Sequence, residues 1–386
     1  MRRDIFTAEH EMFREQVRRF VELEIAPKVE AWNRVGMSDK PSWRKMGQAG
    51  FLGANAPAEY GGAGADFLFD AIVTEEISRV RAHAMMVSLH SDICMPYINS
   101  YGNDQQKRRY LPAAISGETI LAIAMTEPGT GSDLAAVQTT VRREGDDYII
   151  NGSKMFISNG QIADLVIVVA KTDPKAKPTH RGISLILVEA SSPGFIRGRK
   201  LDKLGLRGQD TSELFFEDCR VPASNLLGGE GQGFKMLMEK LQQERLILAV
   251  GSLASCRRTL DDTIAYCKQR RAFGQPIGQF QNTQFKLAEM ATEVEVTQAF
   301  LDRVMAGHAH GDELVTECSM AKWWATDLQK RIAAQCLQLH GGYGFMLEYP
   351  VSMDYADAAV QSIYGGTNEI MKLIIARRMG LDSRGR

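Results

Sequence analysis

The sequence predicts an α+β fold in three units: an N-terminal helical domain, a small middle β-barrel or sandwich, and a C-terminal four-helix-bundle domain with room for a fifth helix. Two changes of period carry this reading. Apolar residues recur at helical spacing from Thr7 to about Gly117, switch to short extended runs between Glu118 and Leu227, and return to helical spacing from about Gly233. A third observation is the stretch "FKMLMEKLQQERLILAVGSLASCRRTLDDTIAYCKQRR", which holds no proline and reads as one long helix. The expected boundaries are 1–117, 118–228 and 229–386.

In the first unit, "FREQVRRFVELEI" and "FLFDAIVTEEISRV" place their apolar residues on one helical face. Pro27, Pro41, Gly50 and "EYGGAGAD" punctuate the helices with loops. Asn103 is placed to cap "DQQKRRYLPAAISG", and Pro112 is expected to end or kink that helix. The middle unit reads as an antiparallel set of strands: "TILAIAM", "YIINGSKMFIS", "DLVIVVA", "GISLILVEA" and "SELFFED", rich in Ile, Val and Phe. The clusters "REGDD" and "SSPG" mark turns, and "NGS" at Asn151–Ser153 reads as a hairpin turn. In the third unit, further helices are expected near 281–308 and 312–339, with a short pair around 350–382 after the "HGGYGF" break.

A chain of 386 residues exceeds one core and agrees with several packed units. With 44% hydrophobic and 24% charged residues and a formal charge of −1, neither nucleic acid nor an anionic membrane is the expected partner. The six cysteines (Cys94, Cys219, Cys256, Cys267, Cys318, Cys336) form no C-x-x-C pair and read as reduced thiols. The opening "MRRDIFTAEHEMF" lacks an apolar signal-peptide core and no 18-residue apolar span follows, so a cytoplasmic protein without integral membrane association is expected.

Several segments could carry chemistry, each with a plainer structural reading. "AMTEPGTGSD", residues 124–133, packs glycines and short hydroxyls after a strand, which suits a planar polar-edged ligand or a phosphate; an ordinary turn has the same composition. "GGEGQGF" lacks the G-x-G-x-x-G register and any βαβ context, so a dinucleotide-binding turn of that kind is not expected. His308 and His310 in "HAH" lack a third ligand nearby and read as a solvated helix end rather than a metal site. "KQRRAFG" ends the long helix with three cations, which complement the helix dipole or hold an arginine out toward a ligand's pyrophosphate.

Taken together, "AMTEPGTGSD", "NGSKMFISNG", "QRRAFG", "QLHGGYGF", "EYPV" and "IYGGTNEIMKLIIAR" resemble the acyl-CoA dehydrogenase family over about Thr7 to Arg377. The resemblance implies FAD as cofactor, an acyl-CoA substrate, an electron-transfer flavoprotein as electron acceptor, and a homotetramer built as a dimer of dimers. It implies that Ile123, Met125, Thr126, Gly131 and Ser132 border the flavin ring, Thr126 at its polar edge, with Ser132 also facing the acyl-CoA. Phe156, Ile157 and Ser158 would wall the opposite ring face. Arg270, Phe273, Gln281, Gln338, Leu339, Gly341 and Gly342 would close the site of a neighbouring subunit, and Thr367, Asn368 and Glu369 would hold phosphate oxygens at a helix start. Gln242, Arg245, Tyr364, Gly365 and Gly366 are the further expected substrate contacts.

One position departs from the common pattern. In many members a glutamate stands where this chain has Gly365, and it removes the α-proton of the thioester. Glycine keeps a backbone N–H, so residue 365 can still stabilise a developing oxyanion, but it offers no base. The candidate base is Glu244 in "LQQERLILAV", which leads into Ile247, Leu248 and Gly251 on the same helix face. The plainer alternative is a surface pair with Lys240 at i,i+4. The long-chain and isovaleryl-CoA members of the family carry the base at this helical position, and "QERL" with "YGGTNEI" matches them. A long-chain or branched acyl-CoA is therefore the expected substrate; a specialised thioester, or flavin oxidase or monooxygenase chemistry on the same fold, is the alternative.

Overall fold

The computed structural model describes residues 3–381. Six helices open the chain: α1 (Ala8–Phe20), α2 (Val29–Val35), α3 (Lys40–Gln48), α4 (Phe67–Arg79), α5 (Met95–Tyr101) and α6 (Asp104–Ile115). Their starts follow from side-chain oxygens that accept the unpaired N–H groups of the first turn: Thr7 for α1, Asp39 for α3, Asp66 for α4 and Asn103 for α6. Asn103 and Gln106 form a reciprocal capping box, as the sequence suggests. Pro112 does not end α6, which runs on to Ile115. Its ring deletes only the bond to the carbonyl of Arg108, a residue exposed to water.

The middle of the chain forms one eight-stranded sheet: β1 (Leu121–Ala124), β2 (Thr140–Glu144), β3 (Asp147–Ser158), β4 (Leu165–Lys171), β5 (Ile183–Glu189), β6 (Phe195–Lys200), β7 (Thr211–Pro222) and β8 (Leu226–Leu227). The order is β6-β7-β3-β2-β4-β5-β8, with β1 beside β4. It is a mixed sheet, not the antiparallel one expected, because β1 and β2 both lie parallel to β4. A parallel neighbour needs a long crossover, and the residues between β1 and β4 supply it by folding the β2–β3 hairpin on the way. Asn151–Ser153 is likewise not a turn; it lies inside β3, and the hairpin reverses at residues 145–146, where Gly145 takes φ +63°. Strand β4 is buried on both faces. Leu165, Ile167 and Val169 join the helical core, while Val166, Val168 and Ala170 join a second core within the sheet, so the strand reads as a continuous apolar run.

The third unit comprises α7 (Gly233–Gln269), α8 (Gln281–Ala309), α9 (Val315–His340), α10 (Pro350–Gln361) and α11 (Asn368–Arg378). Helix α7 runs for 37 residues and touches α4, α8, α9 and α10. Arg81 clamps it from the first unit, forking onto Asp354 of α10 at 2.6 Å and Asp262 of α7 at 2.8 Å. The six cysteines are buried and unpaired. No helix among the described residues is long and apolar enough to cross a membrane.

One buried polar link fixes the sheet to the helices and another fixes the loop after β1 to β3. His90 donates from Nε2 to the Ala114 carbonyl and accepts the Leu121 N–H at Nδ1, which joins the α5–α6 region to β1; burial pushes its pKa down to about 4 and keeps the ring neutral. Lys154 of β3 donates to Glu127 at 2.8 Å and to the Met125 carbonyl at 3.1 Å, both in the 124–133 loop. Glu127 in turn accepts the N–H groups of Gln138 and Thr139. Both side chains are almost wholly buried. Lys154→Met leaves the Glu127 charge unpaired, so urea unfolding should show a loss of about 3–5 kcal/mol, most of it recovered in Lys154→Met/Glu127→Leu.

Candidate active site

Glu244 lies in the middle of the structure, on the face of α7 turned toward α5, with 5% of its surface exposed. The Tyr97 hydroxyl donates to its Oε1 at 2.7 Å. Burial pushes the carboxyl up to about 7, against the opposing pull of that hydrogen bond and of the Arg245 and Lys240 charges. The surface-pair alternative fails: Lys240 donates to Ser100 at 2.6 Å and lies over the Tyr101 ring. Arg245 is buried rather than solvated, turned toward Ser319 of α9, with its Nε unpartnered.

One turn beyond Glu244, Leu248 closes over Gly365. Its Cδ1 stands 2.3 Å from where a Cβ on residue 365 would lie, and Gly365 takes φ +62°. A side chain at 365 therefore has neither space nor a suitable backbone. The Gly366 carbonyl accepts from the buried Lys322 of α9 at 2.7 Å, and burial lowers that lysine to about 7. The N–H groups of Gly365 and Gly366 meet no protein acceptor among the described residues. Tyr364 donates to Gln361 at 2.6 Å, and both line a cavity of about 60 Å³ with Leu248, Gly251 and Ser252 of α7 and residues 85–88. Glu244, Leu248, Tyr364, Gly365 and Gly366 thus form one neighbourhood.

A second neighbourhood joins the 124–133 loop to the end of β3 through the Met155 N–H and the Thr126 carbonyl at 2.9 Å. Gly129 and Gly131 border open space, and Ser132 is exposed beside them. A register shift between Lys154 and Ile157 throws Phe156 outward at φ +61° with 64% exposure, while Ile157 turns into the sheet core. The expectation that all three of Phe156, Ile157 and Ser158 present side chains to a ring is corrected to that extent: alternation along a strand sends the Ile157 side chain away. Ile123 and Met125 are half-buried and pack on the helical core.

A third neighbourhood lies at the far end of α7. Arg270 stacks over the Tyr343 ring at 5.2 Å, and with Gln338, Leu339, Gly341 and Gly342 it lines a cleft of about 470 Å³. Gln281 is exposed at the start of α8. Phe273 projects from the turn after α7 at φ +49° and 96% exposure. Twenty-six helical residues separate Arg270 from Glu244, about 39 Å along the axis. These residues do not share a site with Glu244 in one chain.

Other expected contacts are engaged elsewhere. Gln242 bonds His308, the Asp312 carbonyl and the Leu314 N–H, tying the turn between α8 and α9. His308 is not a solvated helix end: it packs edge-on against Phe67 at 4.7 Å, and burial holds it at about 4, neutral; only His310 is exposed. At the start of α11 the three residues expected to hold phosphate oxygens already have partners within the chain. Thr367 caps Ile370, Asn368 is buried against Lys322, Thr326 and the Trp323 carbonyl, and Glu369 places its own negative charge over the helix start. The sequence reading missed Tyr97, Lys322 and the Lys154–Glu127 pair. No spacing marks them, because each meets its partner across more than 25 residues of chain.

The fold is thus two helical units flanking a strand-built middle, with a buried carboxylate on the long helix. Comparison with known families makes this specific. The acyl-CoA dehydrogenase N-terminal domain matches residues 7–118, the middle domain 122–219 and the C-terminal domain 231–380. Among curated relatives, the long-chain specific acyl-CoA dehydrogenase of Rattus norvegicus mitochondria is 49% identical over 99% of this chain and 89% of its own. The mitochondrial isovaleryl-CoA dehydrogenase of Pongo abelii is 39% identical over 97% of this chain and 89% of its own. The crystal structure of an acyl-CoA dehydrogenase from Geobacillus kaustophilus superposes with a TM-score of 0.96 at 52% identity, covering 97% and 98% of the two chains. The chain belongs to the acyl-CoA dehydrogenase family.

The Leu248–Gly365 contact has a measurable consequence. Gly365→Ala should cost about 2–4 kcal/mol of stability from left-handed strain and overpacking together. In a Leu248→Ala background the penalty should fall by the packing share and keep the backbone share, which a double-mutant cycle of urea unfolding reads directly.

Proposed function

We propose that the protein is an FAD-dependent dehydrogenase of acyl-CoA thioesters with long or branched chains, in which Glu244 removes the α-proton. The observation that carries this reading is the buried Glu244 carboxyl, pushed up to about 7, one helical turn from the residue that closes over Gly365. At neutral pH such a group is partly ionised and shielded from water, which suits proton abstraction from carbon.

The residues fit a flavin. Phe156 and Phe273 are both held at positive φ with their rings exposed, and strain and exposure of this kind at apolar rings point to ligand surfaces. Gly131 of one neighbourhood and Gly341 and Gly342 of another border open space that a ligand can approach closely. Thr126, Ser132, Phe156 and Ser158 would hold the ring, and FAD, when bound, accepts the hydride that leaves the β-carbon. Arg270, Phe273, Gln281 and residues 338–342 stand too far along α7 to serve the same chain, so they would complete the cofactor site of a neighbouring subunit in a homotetramer. An electron-transfer flavoprotein would then take the electrons.

The chain's own part in the reaction is proton transfer and charge stabilisation. Glu244 takes the α-proton, the C–H electrons move into the new α,β double bond, and the substrate's developing thioester oxyanion rests on the N–H groups of Gly365 and Gly366. Leu248, Gly251 and Tyr364, which border a small cavity beside the Gly365 loop, would have to move apart to admit the acyl chain.

Glu244→Gln should bind flavin normally and lose dye-linked turnover of a long-chain acyl-CoA by several orders of magnitude; turnover within about tenfold of the parent would reject Glu244 as base. Because the base acts ionised, kcat/KM of the parent should fall about tenfold per pH unit below about pH 7 and level off above it. Arg270→Ala should lose flavin on dialysis, read by the ratio of flavin to protein absorbance, and unchanged occupancy would remove it from the cofactor site.

A further inference from the structure

The route by which Tyr97 reaches Glu244 is a local departure from the α-helix. Residues 89–94 form a π-turn directly before α5. A π-turn holds one residue more than α-helical spacing would, so the side chains beyond it are rotated by about 100° from where an uninterrupted helix would put them. Pro96, which has no N–H to offer, follows where the ladder is already loosened. Tyr97 comes out of this turn fully buried, and its hydroxyl meets Glu244 Oε1 at 2.7 Å.

Among the described residues Tyr97 is the one hydrogen-bond donor to that carboxylate, and Oε2 is left unengaged. The other charged or titratable groups around Glu244 act without contact. Cys94 comes from the π-turn; Lys240 and Arg245 come from α7 itself, the first bound to Ser100 and the second turned toward Ser319 beside Lys322 of α9. Tyr101 of α5 is turned away to Glu239.

We propose that Tyr97 is a positioning residue for proton transfer: its hydroxyl holds Oε1 in one rotamer, leaves Oε2 to face the substrate's α-carbon, and favours the ionised base. This rests on the reading of Glu244 as the base. A phenol donating to a carboxylate stabilises the charged form, so its removal raises the proton affinity of Glu244. A merely structural tyrosine would leave that affinity unchanged.

The test is the pH profile of Tyr97→Phe in the flavin-loaded enzyme, with Glu244→Gln assayed beside it. The variant keeps the ring that fills the site and deletes only the hydroxyl. The acid limb of kcat/KM should move upward by about one pH unit, so that activity at about pH 6 falls about tenfold more than activity on the alkaline plateau. Flavin content should stay that of the parent. A uniform loss at every pH with the limb unmoved, or no change at all, overturns the positioning role. If Glu244→Gln keeps its turnover, the base assignment itself is overturned; if Glu244→Gln is inactive and the Tyr97→Phe limb is unmoved, only the role of Tyr97 is.

Discussion

A carboxyl group kept out of water about a third of the way along a 37-residue helix is the feature on which the rest of the site depends. Its pKa of about 7 against an ordinary 4.5 means that the ionised folded state costs about 3 kcal/mol relative to a solvated carboxylate. The sign follows from the direction of the shift: the cost is absent below the ordinary value and complete above about pH 7. The group cannot escape that cost by swinging outward, because α7 is packed by α4, α5, α8, α9 and α10 and clamped by the Arg81 fork onto Asp354 and Asp262. Tyr97 offsets part of it through one charge-assisted hydrogen bond.

The same helix also accounts for the glycine at 365. Leu248 and any side chain on residue 365 would claim one volume, and Lys322 fixes the loop there by holding the Gly366 carbonyl. Leu248, one turn along α7 from Glu244, thus ties the bare backbone at residue 365 to the helix that carries the carboxylate. The helix supplies a rigid mount for the acid, and the loop keeps its N–H groups uncommitted.

Much of this was legible in the chain. The period changes located the helical and strand-built parts, Asn103 announced its cap, and the apolar face beyond Glu244 marked a carboxylate leading into the core. What was not legible depends on pairing at a distance. The parallel placement of β1 on β4 leaves no local pattern, since both are plain apolar runs. Gln242 and Asn368 read as available polar groups, but their partners come from residues 42 to 72 positions away. Tyr97 was hidden for a different reason: helical periodicity carried through residues 89–94 assumes 3.6 residues per turn, and the π-turn breaks that count just before it.

The strained phenylalanines extend the argument from the chain to its assembly. Holding a bulky residue at positive φ costs on the order of 1 kcal/mol or more, and exposing its ring forfeits the burial that would repay it. Phe156 and Phe273 bear both penalties, Phe156 in the neighbourhood of the 124–133 loop and Phe273 in the turn after Arg270. The length of α7 forbids one small ligand from covering Glu244 and Arg270 together. In the assembly proposed above, each ring is set out at local cost and the Phe273 end of one chain would meet the Phe156 end of another. The backbone cost would remain in such an assembly, while the two rings would regain the burial they forgo in the single chain.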